Sequence, residues 1–402
     1  MEKETPGTPP KENKSSKPKR QAATTAKATA PEYLYPGKRS AMGKRNDLAF
    51  EANRLALQAD LDRLDLPHAL ETLHQQQMDA GFIIDDLAGV RYFQCIHDHG
   101  DAYFIGQFNP KRANRGAGSG RSVPPPGVET VATPSCKCYL CTDNVRWQSR
   151  GIQMYYQFMV NAHAFNAMCN PFPFMPNHVT IAAAEHEPQS WHKKAVWEGD
   201  KIERLVTDLY DIAHQLKDWV CFYNGVGAGA SIEEHVHFQA FKFPDGHGLF
   251  PLQHIAGKVE SRTRAATIMS DEISTTVIDA NDYPLTSFRI TGERTKAIKA
   301  VVERIKRWSA VVSGAASANL TAIWEDDALV IYLIPRNRFY SRSTGMAGTV
   351  GGLEVLGEFI FCTAEEDKII NEQRVNFEYM TAILRGVTPP KIERLNANRS
   401  RA

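Results

Sequence analysis

The chain carries a glycine-rich run, Gly225-Val226-Gly227-Ala228-Gly229-Ala230-Ser231, closely followed by His235-Val236-His237-Phe238-Gln239. The first segment predicts a loop able to hold a phosphate, and the second predicts a strand. Strand side chains alternate between faces, so His235, His237 and Gln239 are expected on one surface, with neighbours roughly 6.6 Å apart at about 3.3 Å per residue. Alone, a His-x-His is equally compatible with a half-solvated strand that happens to carry histidines. The adjoining glycine run and partners elsewhere in the chain weigh against that reading.

A length of 402 residues allows one large or two ordinary domains, and 43% hydrophobic with 23% charged residues is ordinary for a globular protein. The formal net charge of +1 conceals an excess of Lys and Arg, set among Pro, Ser, Thr and Ala, in residues 1–45. That segment is expected to be a disordered basic tail. Its Lys17-Pro18-Lys19-Arg20 and Lys38-Arg39 are a pattern that attracts nucleic acid or an anionic surface, or serve as a solvated solubility tail. No apolar stretch approaches the roughly 20 residues that span a bilayer, and the N-terminus lacks the apolar core of a secretion signal, so no membrane association and a cytoplasmic location are expected. Of seven cysteines, three crowd into Cys136-Lys137-Cys138-Tyr139-Leu140-Cys141. The odd count argues for reduced thiols and a metal rather than a disulfide framework.

Apolar periodicity predicts one or two helices over 47–81 with a break near Pro67, and helices over 195–219, 295–312 and 365–384. Strands are expected over 90–95 and 103–108 as a pair, then over 152–160, 179–184, 220–223, 320–324, 328–334 and 353–361, with a loop over 116–127. Helices mixed with antiparallel strands imply an α+β fold of two similar halves, 46–245 and 246–402, the chemistry lying in the first.

Cys138-x-x-Cys141 has the spacing by which a tight turn presents two thiolates to one zinc ion, and a tetrahedral site needs two more ligands. His186, in Glu185-His186-Glu187-Pro188, and His235 are the best candidates. A variant using Cys136 and a pair of metal-free thiols both remain open. With four protein ligands the zinc would be structural, fixing the strand that carries His237.

With His235 on the metal, His237 is the imidazole left beside the glycine loop. A neutral imidazole is a good nucleophile, and the phosphorus of a nucleoside diphosphate derivative is a suitable electrophile. The product of attack would be a nucleotidyl-histidine. Backbone N–H groups of residues 225–231 and the carboxamide of Gln239 are expected to face the nonbridging oxygens. Arg112 and Arg115, in Pro110-Lys111-Arg112-Ala113-Asn114-Arg115, offer guanidinium forks for phosphate, or form an ordinary basic loop.

Together these residues resemble the galactose-1-phosphate uridylyltransferase branch of the histidine-triad (HIT) superfamily, which also includes diadenosine tetraphosphate phosphorylases and GDP-hexose phosphorylases. The resemblance rests on Pro110 to Arg115 as Pro-x-Arg-Ala-x-Arg and on Cys138 to Arg146 as Cys-x-Leu-Cys-x-x-Asn-x-Arg. It continues through His186, Asn224-Gly225, Gly229-Ala230-Ser231 and His-x-His-x-Gln, covering residues 100–243 in family order. It implies a HIT-like α+β fold, zinc on Cys138, Cys141, His186 and His235, and His237 as covalent nucleophile. Gln239 is implied to bond the transferred phosphoryl group, Arg112 and Arg115 the substrate phosphates, and Asn224, Gly225, Gly229 and Ser231 the phosphate loop. Asn170-Pro171-Phe172-Pro173 resembles the wall on the base or ribose side, and relatives imply a homodimer. The segment Ser231-Ile232-Glu233-Glu234-His235 is one residue longer than in the uridylyltransferases and lacks their proline. Blocks around Tyr283-Pro284-Leu285, 329–335 and 351–361 look more like the phosphorylases, which points to phosphate as acceptor.

The expected function is therefore nucleotidyl transfer by double displacement between a nucleotide sugar and a sugar 1-phosphate or inorganic phosphate. A dinucleotide is the alternative donor. A HIT-type hydrolase is a rival that Gln239 disfavours, since such hydrolases usually carry a third histidine there. A zinc-stabilised nucleic-acid-binding module is a second rival, disfavoured by the near-neutral body of the chain.

Overall fold

A computed structural model describes residues 39–83, 87–98, 100–114, 138, 140–145, 153–189, 201–264 and 273–396. Most of the basic segment expected as a tail, the loop over 116–127, Arg115, Cys136 and Arg146 lie outside them. Helix α1 (Arg39–Leu61) begins within the segment read as a tail, and α2 (Leu66–Asp79) follows. The break between them has a local cause: Pro67 stands in the first turn of α2, and the Asp65 carboxylate caps that turn by accepting from His68 N at 3.1 Å. Strands β1 (Arg91–Ile96) and β2 (Tyr103–Phe108) pair antiparallel as expected, and a 3-10 turn over Pro110–Asn114 follows.

After the short helix α3 (Thr142–Val145) come β3 (Tyr156–Val160), β4 (His163–Cys169), β5 (Val179–Ala183), α4 (Lys201–Gln215), β6 (Trp219–Asn224) and β7 (His237–Lys242). The second half contributes α5 (Pro251–Arg264), β8 (Ile273–Ile278), β9 (Ser287–Gly292), α6 (Arg294–Val312), β10 (Ala316–Glu325) and β11 (Ala328–Asn337). It ends with β12 (Glu358–Phe361), α7 (Ala364–Asn371), α8 (Phe377–Gly386) and α9 (Glu393–Asn396). Nine strands form one antiparallel sheet in the order β3-β4-β5-β7-β6-β10-β11-β9-β8. The succession helix, strand, strand occurs as α4-β6-β7 and again as α6-β10-β11, and the first strands of the two units, β6 and β10, pair at the centre. The α+β fold expected from the sequence is the one observed.

Alternation along the strands fills two cores. Tyr223, Phe238, Leu320 and Leu333 face α4 and α6, where Leu209, Ile298 and Val301 are buried with them. Phe222, Phe241, Val330 and Tyr332 face the other way, toward a three-stranded sheet β1-β2-β12 that supplies Phe104, Phe359 and Phe361. Each such side chain contributes roughly 1.5–3 kcal/mol by leaving water. His237 and Gln239 alternate in step with Phe241, so they face the three-stranded sheet.

Several expectations are corrected. The helix over 365–384 is two, because Gln373 adopts a positive φ of 56° and Asn376 starts α8 by capping Tyr379 N at 2.9 Å. The strand over 353–361 starts at Glu358, after a 3-10 turn that ends at Gly357 with φ of 98°. The helix expected to reach 219 ends at Gln215. His235 lies just before β7 rather than on it. Strands β4, β8 and β9 were not anticipated.

Glu358 is fully buried and accepts from Gln107 Nε2 and His247 Nε2, both at 2.8 Å. Burial alone would lower the His247 pKa, but the Glu358 carboxylate beside it outweighs burial and raises it. A raised folded pKa means stability that is complete below the unfolded value of about 6.5 and is lost as pH rises through the folded value. Calorimetry from about pH 6 to pH 8 should therefore show the thermal midpoint of the wild type falling more steeply than that of Glu358→Gln. Equal slopes would refute the pairing.

Candidate active site and metal cluster

Pairing of β5 with β7, with Ala182 opposite His237, sets the chain just beyond Ala183 beside the chain just before His237. His186 and His235 meet there, and the segment leading into α3 brings Cys138 and Cys141. That segment is tied by Asn144, whose Nδ2 donates to Cys138 O at 2.7 Å and whose backbone N–H donates to Cys141 O at 2.8 Å. The four ligand atoms lie within 4.8 Å of one another. Cys138 Sγ is 3.4 Å and Cys141 Sγ 3.7 Å from His235 Nδ1, and Cys141 Sγ is 3.2 Å from His186 Nδ1. Zinc bonds of about 2.3 Å to sulfur and about 2.0 Å to nitrogen require tetrahedral edges near 3.5 Å, so the donor set suits that ion. The Nε2 of His235 donates to Ala183 O at 2.7 Å, which turns the Nδ1 lone pair toward the thiols. Burial pushes the His235 pKa down, favouring the neutral ligating form.

Two residues further, at the start of β7, His237 is 3% exposed and opens onto a pocket lined by Arg112, Asn170, Phe172, Ser231 and Gln239 among others. Its Nδ1 lies 2.8 Å from His235 O and 2.7 Å from the Gln189 carboxamide. A carbonyl can only accept, so Nδ1 carries the ring proton and Nε2 carries the lone pair. Gln239 Oε1 accepts from Nε2 of His178 at 2.9 Å, leaving the Gln239 amide N–H groups to address the pocket. His178 is fully buried against Phe174, ring centroids 4.0 Å apart.

The opposite wall is held from β2 and the turn after it. Gln107 Nε2 donates to Phe174 O at 3.3 Å, Asn109 Nδ2 to Pro173 O at 3.0 Å, and the buried Arg112 guanidinium to Phe172 O. Arg112 also lies over the Phe174 ring, 4.8 Å from its centroid. Asn170 Oδ1 accepts from Phe172 N at 2.9 Å, closing a side-chain turn in the same wall.

The glycine run is placed differently. Asn224 Oδ1 accepts from Asn319 Nδ2 at 2.7 Å and from Gly352 N at 2.8 Å, and the same Asn319 amide donates to Ala228 O at 2.7 Å. The fully buried Arg336 donates to Asn319 Oδ1 at 2.8 Å, and although burial lowers its pKa to about 10 it remains protonated at neutral pH. A Cβ at Gly225 would come within 2.4 Å of Ser317 Oγ, and at Gly229, where φ is +99°, within 2.6 Å of Gly351 Cα. These two glycines and Asn224 therefore pack on the second half, and of the loop residues singled out Ser231 reaches the pocket. The structure thus gathers Cys138, Cys141, His186 and His235 in one cluster and Arg112, Asn170, Ser231, His237 and Gln239 around one pocket. His178 and Gln189 were missed. Their sequence signal is only their position beside the ends of a predicted strand.

A family model described as a domain of unknown function (DUF4922) matches residues 85–242. No curated protein matches the chain by sequence. Among solved structures, the yeast Ap4A phosphorylase Apa2 superposes with a TM-score of 0.51 at 13% identity, covering 80% of this chain and 97% of that one. The same enzyme in complex with Ap4A gives 0.50 at 12% identity, covering 78% and 96%. An ADP-glucose phosphorylase from Arabidopsis thaliana with bound ADP-glucose covers 71% and 99% at 15% identity, with a TM-score of 0.32 that is too low to bear on the fold. The chain therefore has the fold of the yeast Ap4A phosphorylase, the HIT-like α+β fold that its motifs resemble.

Proposed function

We propose that the protein is a nucleotidyltransferase acting by double displacement through His237. Nε2 attacks the α-phosphorus of a nucleotide sugar, the phosphoanhydride P–O bond breaks, and a sugar 1-phosphate leaves. Inorganic phosphate or another sugar 1-phosphate then attacks the nucleotidyl-histidine and returns the imidazole. The observation that carries this reading is the contact of His237 Nδ1 with His235 O, which commits Nε2 to attack beside the Gln239 amide held by His178. Gln239 donates to the nonbridging oxygens as charge develops. Arg112 and Arg115 take substrate phosphates, Ser231 the edge of the phosphate site, and Asn170 the nucleoside wall. Asn224, Gly225 and Gly229 set the loop that presents Ser231.

Zinc on Cys138, Cys141, His186 and His235 would be structural, its four protein ligands leaving no position for substrate. It would fix the His235 backbone and thereby the carbonyl that orients His237. A homodimer in the cytoplasm completes the proposal; among the described residues no helix is long and apolar enough to cross a membrane. A dinucleoside polyphosphate is the second donor to consider, because the yeast enzyme sharing the fold is an Ap4A phosphorylase whose structures include complexes with AMP and Ap4A.

The test is to incubate the protein with α-phosphorus-labelled UDP-, GDP- and ADP-sugars and Ap4A in the absence of acceptor. One donor should leave acid-labile label on His237, discharged by phosphate or a sugar 1-phosphate. Turnover without any such label would overturn the proposal.

A further inference from the structure

Resting on the nucleophilic role proposed for His237, we infer that Gln189 is its positioning residue, the carboxamide oxygen sharing the Nδ1 proton with the His235 carbonyl. Gln189 is buried, and its backbone N–H donates to Glu233 O at 3.1 Å, which fixes it against the chain entering β7. As placed, its Nε2 lies 2.7 Å from His237 Nδ1 and 3.4 Å from His237 O. The first contact conflicts with the proton that His235 O, at 2.8 Å, requires on Nδ1. An N–H cannot donate to a protonated nitrogen.

The other end of the same amide is in difficulty too. Gln189 Oε1 is buried without a hydrogen-bond partner among the described residues. Turning the amide by 180° exchanges the two atoms with almost no movement of the side chain. It gives Oε1 the short contact with Nδ1–H and removes the conflict, at the cost of the long contact with His237 O and with the amide N–H groups now where Oε1 had no partner. In that orientation two acceptors share the Nδ1 proton.

The consequence lies in the attack itself. As Nε2 bonds to phosphorus the ring becomes a cation, and its Nδ1–H is then held by two oxygens whose positions are already set. A carboxamide provides this without a formal negative charge that would hold the imidazolium too firmly for the second displacement. Gln189 is not among the residues lining the pocket, so it acts on His237 and not on the donor. Its segment also carries His186, so one stretch of chain serves both the metal cluster and the nucleophile.

The experiment compares Gln189→Met and Gln189→Glu in single-turnover labelling of His237 by whichever donor labels the wild type. Met removes the acceptor, and the loss of one hydrogen bond to a developing charge should slow labelling roughly 10- to 100-fold with the donor KM within about two-fold. Glu keeps an acceptor oxygen but loses the N–H donor, and should label within about five-fold of wild type. Gln189→Met labelling at the wild-type rate would overturn the inference. So would Gln189→Glu as slow as Gln189→Met, because the donor would then be what matters. If Gln189→Met fails to fold, Gln189→Ala takes its place in the same comparison. Failure of the wild type to take label under turnover would instead overturn the role of His237, so the two failures are distinguishable.

Discussion

Replacing His237 with alanine is expected to lower turnover by on the order of 10⁴-fold or more, equivalent to at least about 5.5 kcal/mol of transition-state stabilisation. The covalent route is lost with the nucleophile, and Gln239, Arg112 and the pocket wall remain only to bind. Gln239→Ala should be milder, on the order of 10²- to 10³-fold, because it deletes one donor to the developing charge while the attacking atom stays in place. The two variants separate nucleophile from stabiliser, and both should keep a wild-type metal content because neither residue belongs to the cluster. Product release under saturating donor and acceptor measures the difference. Turnover by His237→Ala within ten-fold of wild type would end the covalent mechanism.

The second large effect is expected from the cluster. Cys138→Ser and Cys141→Ser should each reduce zinc, measured by elemental analysis, from about one ion per chain to near none, because each removes one of only two thiolates in the four-ligand set. Structural zinc is worth apparent binding energies of about 10–16 kcal/mol in small zinc-folded peptides. Here two large apolar cores exist without it, so a fall in thermal midpoint, rather than global unfolding, is expected. Turnover should fall with the zinc, since His235, the proposed ring ligand, also contacts His237 Nδ1 through its carbonyl. A chelator that removes the ion without altering either midpoint or turnover would show that the cluster does not support the nucleophile.

What the sequence could reveal followed distance along the chain. The alternation of His237 and Gln239 is local, and Cys-x-x-Cys with two histidines needs only the recognition that four soft donors suit one ion, so both were legible. Gln189 and His178 were not, because their roles depend on the register of β5 against β7, with Thr180 opposite Gln239 and Ala182 opposite His237. The glycine run shows the converse limit. Its composition suits a phosphate cradle, yet Gly225 and Gly229 are each explained by close approach to residues about 90 to 120 positions later, which no local pattern announces. The break in the helix over 365–384 was hidden for a different reason, since apolar periodicity carries across the positive-φ Gln373 that interrupts the backbone.

The pocket wall at Phe172 to Phe174 hangs on side chains from β2 and the turn beyond it, and β2 is itself flanked on one side by β12, some 250 residues further along. The stretch 85–242 that matches a family model therefore holds the residues proposed for the chemistry but is not a free-standing module. Excised, it would lose the strand beside β2 and the strand beside β6, leaving two unsatisfied rows of peptide groups that invite self-association. The second half, which contributes none of the residues assigned to catalysis, is on this view a built-in chaperone whose strands never leave.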